Sequence, residues 1–219
     1  MNPIKTFSFL LLAGVLGVAQ ANEAAAPAAP KGDAVAGQAK AAVCGACHNP
    51  DGNSAIPVNP KLAGQGAKYL AKQLHDFKSG KRANPVMMGM AAGLSDQDIL
   101  DISAYFAAQK STTNAADPAQ VKAGEKLWRG GNLQSGVLAC TGCHGPSGRG
   151  NVLAAYPALR GQHADYVEIQ LKAFRAAARG DLTGDKREND PEGMMRGVAK
   201  NLSDSEIKAV AQFVSGLYQ

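Results

Sequence analysis

The chain has 219 residues, a formal net charge of +5 and 45% hydrophobic residues, but only one Trp, five Tyr and six Phe. Beyond residue 21 the charge is even: divided at 110/111, each half carries a surplus of two basic residues, and there is no Lys/Arg run. That balance excludes nucleic acid as the expected partner, and so few aromatic side chains imply that something else fills the interior of small domains.

In chain order, Lys5, the apolar stretch from Phe7 to Ala19 and the small-residue "AQA" at 19–21 predict a signal peptide over residues 1–21, cleaved after Ala21. The apolar stretch falls short of the roughly 20 residues of a permanent span. Export follows as an expectation, with association at a membrane surface left open. Residues 22–32, "NEAAAPAAPKG", read as a flexible leader. A first unit, 33–110, opens with the Ala-rich "DAVAGQAKAAVCGACH". Tyr69, Leu70, Gln73, Leu74 and Phe77 then share one helical face. Ser95 and Asp98 form a capping box ahead of Ile99, Ile102, Tyr105 and Phe106. Residues 111–117 are a polar linker ending at Asp117, which with Pro118 supplies the N-cap and N1 of a second unit, 118–219. Its last helix repeats the capping box with Ser203 and Glu206, followed by Ile207, Val210, Phe213, Val214 and Leu217. No strand pattern occurs, so the expected class is all-α.

The two units are copies of one plan. "PKLAGQ" at 60–65 returns as "PALRGQ" at 157–162, "YLAKQLHDFKSGKR" at 69–82 as "YVEIQLKAFRAAAR" at 166–179, and "AAGLSDQDI" at 91–99 as "AKNLSDSEI" at 199–207. A repeat this long means two folded domains and not a solenoid.

All four cysteines belong to two Cys-x-x-Cys-His pentapeptides, Cys44/Cys47/His48 and Cys140/Cys143/His144. This is the attachment signal for c-type haem. On a helical turn, positions i, i+3 and i+4 share a face, so both thiols can bond one porphyrin while the histidine meets the iron. Plain disulfides, thioredoxin-like pairs and zinc compete with this reading. Thioredoxin chemistry lacks a βαβ context, and zinc lacks a fourth ligand near either set. Two covalent haem c groups are therefore expected, and they also supply the missing core.

The second axial ligand separates an electron carrier from a catalyst. Beyond Met1, the methionines cluster as Met87, Met88, Met90, Met194 and Met195, upstream of the two "LSD" motifs. Aligning "MMGMAAGLSD" with "MRGVAKNLSD" matches methionine to methionine only at Met87 and Met195, which become the candidate ligands; core filling is the competing role. His75 and His163 have no histidine counterpart in the other unit and read as surface or structural. The recurring Pro60 and Pro157 are candidates to accept a hydrogen bond from the axial histidines, with a turn role as the alternative. The histidine-to-methionine separation is 39 residues in the first unit and 51 in the second. The difference falls in "GDLTGDKREND", read as a polar surface loop and a tolerated insertion.

With these motifs and "NDPEGMMRG" in hand, the chain resembles the dihaem cytochrome c4 family over essentially all of its predicted mature length. The resemblance implies two tandem class I cytochrome c domains related by a pseudo-twofold, in the periplasm, with no small-molecule substrate. It implies His/Met ligation by His48 with Met87 and His144 with Met195. Expected partners are redox proteins, an electron donor such as the bc1 complex and an acceptor such as a terminal oxidase. Two rivals are a dihaem peroxidase, against which the methionine clusters and the short chain argue, and the haem subunit of a periplasmic dehydrogenase such as a sulfide-oxidising flavocytochrome.

Overall fold

The last helix of each half and the first helix of the second half begin where the sequence places caps. The computed structural model describes residues 31–217; the signal peptide and all but the last two residues of the leader lie outside them. The first half contains α1 (Ala34–Lys40), α2 (Gly45–His48), α3 (Ala67–Lys78), α4 (Pro85–Ala92) and α5 (Asp96–Ala108). The second contains α6 (Pro118–Gly130), α7 (Thr141–His144), α8 (Ala164–Arg179), α9 (Met194–Ala199) and α10 (Asp204–Gly216). Both capping boxes are formed, at Ser95/Asp98 and Ser203/Glu206, and Asp117 caps α6 with Pro118 at N1. Asp33, which the sequence reading left unassigned, caps α1. Among the described residues there are no strands, only two isolated bridges, Asn132 with Val137 and Asn151 with Tyr156, so the chain is all-α.

In each half the first helix crosses the last at a glycine. A Cβ on Gly37 would stand 2.0 Å from the Asp101 carbonyl oxygen of α5, and one on Gly124 would stand 2.2 Å from the Ala209 oxygen of α10. Backbone meets backbone there, at a separation no side chain permits. The cores around these crossings are unequal. Trp128, Ile207, Val210, Phe213 and Val214 lead a large cluster in the second half, whereas the first half gathers only Ala41, Leu70, Ile102 and Phe106 as buried members. Other buried apolar residues of the first half, Phe77 and Ile99 among them, lie outside that cluster.

The polar linker is extended and pinned at both sides. Asn53 accepts from the Thr112 N–H at 2.8 Å, Lys61 Nζ donates to the Thr112 carbonyl and to Asn114 Oδ1 (2.7 Å), and Asn114 Nδ2 donates to the Gly161 carbonyl. It acts as a strap as well as a connector.

Replacing Gly124 by Ala forces α6 off α10, and overpacking of this kind costs about 1–3 kcal/mol or more. The expected outcome is a denaturation midpoint well below that of the parent holoprotein. Ala in place of Gly130, where an added Cβ meets nothing within 4 Å, should leave the midpoint nearly unchanged.

Candidate haem-attachment sites

The two pentapeptides are built alike. One helical turn, α2 or α7, carries Cys47 and His48 or Cys143 and His144, with Cys44 or Cys140 at its N-cap. None of the four cysteines is in a disulfide; Cys47 and Cys143 are exposed and the other two partly buried. Burial pushes the Cys44 thiol up and that of Cys140 up to about 11. Immediately after each histidine the backbone turns to positive φ, at Asn49 (61°) and Gly145 (74°). The returning chain is fixed by paired bonds: Leu62 and Ala63 N–H to the Gly52 carbonyl, Leu159 and Arg160 N–H to the Gly148 carbonyl. Gly64 and Gly161 then donate to Phe106 and Val214, tying each return loop to the last helix of its half.

That return brings the proline carbonyls to the histidines. His48 Nδ1 lies 2.8 Å from the Pro60 oxygen and His144 Nδ1 lies 2.9 Å from the Pro157 oxygen. A carbonyl can only accept, so each Nδ1 carries the proton and each Nε2 keeps its lone pair. Both rings are buried. Desolvation holds their pKa below the usual histidine range, partly opposed by the bond to the proline. A neutral, oriented imidazole with its Nε2 lone pair available is a metal ligand in waiting.

The methionines divide by exposure. Met88, Met90 and Met194 are 38%, 37% and 40% exposed, while Met87 and Met195 are partly buried. Met195 packs on the second-half core that also takes in Cys140. The Met194 sulfur is engaged by the Tyr156 hydroxyl at 3.7 Å. Asn84 caps α4 by accepting from the Met87 N–H at 2.9 Å, and Asp190 holds the Arg196 N–H and guanidinium next to Met195. His75 is 45% exposed beside Asp96, and His163 Nε2 donates to the Ser54 carbonyl of the other half at 2.7 Å.

These residues fit haem c. Each cysteine pair can form two thioethers to one porphyrin, and the buried histidine beside it presents a nitrogen lone pair. Among the described residues no three of His, Cys, Asp and Glu converge as a metal-ion cage, so the zinc alternative has no ligand set.

The halves meet through reciprocal contacts that the sequence reading did not assign. Gln162 accepts from the Lys61 N–H (2.8 Å) and donates to the Lys61 carbonyl (2.9 Å); Gln65 does the same to Ala158, at 2.8 and 2.9 Å. Farther along, Arg82 stacks on Phe77 and reaches Tyr166 and Gln170, while Arg187 stacks on Phe174 and reaches Tyr69 and Gln73. Such i-to-j, j-to-i pairing is the mark of a local twofold. It corrects two sequence expectations. The repeat pairs Arg82 with Arg179, yet Arg179 lies outside, donating to the Lys200 carbonyl, and Arg187 takes the Arg82 role. The "GDLTGDKREND" segment is exposed only in its first part. Its end carries Arg187 and Asn189 into the seam, where Asn189 Nδ2 donates to Gln73 and Asp76. The recurring "GQ" was the available signal for the glutamines; the arginines had none, because the insertion shifts their register.

The Cytochrome c family model matches residues 34–110 and 121–217. A cytochrome c4 from Azotobacter vinelandii is 49% identical over 221 residues, covering 96% of this chain and 97% of that protein. The chain belongs to the cytochrome c4 family. The crystal structure of reduced recombinant cytochrome c4 from Pseudomonas stutzeri superimposes with a TM-score of 0.79 at 50% identity, over 85% of this chain and 100% of that one. More distant is a "Thiosulfate dehydrogenase electron acceptor" from Stutzerimonas stutzeri (strain A1501), 37% identical over 183 residues, with 82% and 81% covered. As a cytochrome c4 the chain is an electron carrier and not an enzyme, holding two haem c groups bound covalently through the cysteine pairs.

Replacing Cys140 and Cys143 by Ala removes one attachment site. A pyridine haemochrome assay and intact mass are expected to report one haem per chain, against two in the parent.

Proposed function

We propose that the chain shuttles electrons in the respiratory chain of the periplasm, from the bc1 complex toward a terminal oxidase, with His48 and Met87 as axial ligands in the first domain and His144 and Met195 in the second. Bound haem supplies a one-electron Fe3+/Fe2+ couple at each site. The observation that carries the reading is the oriented neutral histidine directly after each cysteine pair, with Nδ1 committed to a proline carbonyl and the Nε2 lone pair left over. Pro60 and Pro157 thereby fix ring tautomer and direction. The partial burial of Met87 and Met195, against exposed neighbours, supports them as the opposing ligands. Two strong protein ligands on each iron keep substrates off it, as a carrier requires. Arg160 Nη1 is a buried donor with no partner among the described residues, and a haem carboxylate is the acceptor such a group lacks.

Lys5 and the apolar stretch at 7–19 support export. The mild net charge supports docking by local patches, with protein redox partners on either side of the transfer. A second reading, delivery of electrons from a periplasmic dehydrogenase, is favoured by the likeness to the thiosulfate dehydrogenase electron acceptor. Assays of electron transfer from purified bc1 complex and from thiosulfate dehydrogenase separate the two.

The visible spectrum of the dithionite-reduced protein should not change on adding carbon monoxide. In Met195→Ala the same addition should shift the Soret band of one haem per chain. A parent protein that binds carbon monoxide defeats the assignment of two ligands at each iron.

A further inference from the structure

We infer that each domain tunes the haem of the other, through a glutamine that polarises the peptide accepting from the partner domain's axial histidine. The Pro60 carbonyl that accepts from His48 Nδ1 and the Lys61 N–H belong to one peptide group. That N–H is donated, at 2.8 Å, to Gln162 Oε1 of the second domain. The Pro157–Ala158 peptide mirrors it, accepting from His144 and donating at 2.8 Å to Gln65 Oε1 of the first domain. Hydrogen bonds in a chain polarise one another where water is excluded, and Gln65, Gln162, Lys61 and both histidines are at most 7% exposed.

Each amide is also fixed in orientation. Gln162 Nε2 donates to the Lys61 carbonyl at 2.9 Å while its Oε1 accepts from the His163 N–H at 3.0 Å. Gln65 Nε2 donates to the Ala158 carbonyl and its Oε1 accepts from the Gly66 N–H, both at 2.9 Å. A flipped amide would set donor against donor and acceptor against acceptor. The glutamine oxygen therefore draws on the N–H, the proline oxygen becomes a better acceptor, and the histidine becomes a stronger electron donor to its iron. A stronger donor favours Fe3+ and lowers the potential. Gln162 and Gln65 are positioning residues, acting across the seam.

This inference rests on His48 and His144 being the axial ligands, which is checked first. In the reduced parent protein, NMR should show the ring protons of both histidines displaced by the haem ring current; unshifted rings would refute the ligand assignment, whatever the variants do. The glutamines are then tested by a redox titration that resolves the two haems by NMR. Gln162→Met keeps the volume and removes the acceptor. It should raise the potential of the first-domain haem and shift the His48 Nδ1–H resonance upfield, leaving the second-domain haem unchanged. Gln65→Met should do the reverse. Gln162→Glu, which sets a charged and stronger acceptor on the Lys61 N–H, should lower the potential of the first-domain haem, and it carries the test if Gln162→Met does not fold. Equal shifts at both haems, a shift at the haem of the mutated domain, or no shift in folded protein would overturn the inference.

Discussion

Two helix crossings without a side chain between them set the geometry of everything else. At Gly37 on Asp101 and at Gly124 on Ala209 the first helix of each half lies directly on the backbone of the last. In the first half the first helix leads straight to the cysteine pair, and in the second it does so through a loop, 131–139, closed by the Asn132–Val137 bridge; the last helix receives the return loop through the bonds from Gly64 to Phe106 and from Gly161 to Val214. The histidine and the proline that orients it are thus referred to the same crossing from opposite directions. A side chain at either glycine would displace both.

Much of this was legible in the sequence because its signals are local. Both capping boxes, the Asp117–Pro118 start and the helical class rest on spacings of three or four residues, which is what helix physics reads. The pentapeptides work the same way, since their chemistry is confined to one turn. The seam was not legible. Gln65 and Gln162 were visible as a repeat, but their partners lie 93 to 101 residues away, and nothing nearby implies a reciprocal amide. Arg187 was hidden by the inserted loop, which moves it eight positions from the residue that the repeat matches to Arg82. Asp33 and Gly37 sit in an Ala-rich run whose composition masks both cap and crossing.

The seam is polar where an obligate interface is usually apolar. Two guanidinium groups, on Arg82 and Arg187, share the amide oxygens of Gln73 and Gln170. Asp76 sits at the edge of this group, paired with Lys72 and Asn189. Burying like charges together is costly. Here stacking on Phe77 and Phe174 and the number of neutral acceptors offset the cost. Such a network holds only if every member is in place, so it specifies one arrangement of the halves more than it adds stability.

The strap from Asn53 through Thr112 and Asn114 to Gly161 has a consequence for how the redox centres behave in dilute solution. A self-complementary face on a free domain would pair according to concentration, and a sparse population would be mostly unpaired. Joined by seven residues that are themselves tied to both halves, the two faces see one another at an effective concentration set by the tether and not by expression level. The two haem-binding halves therefore stay paired at any dilution, and a molecule that meets a redox partner once brings two electrons' worth of capacity to that encounter.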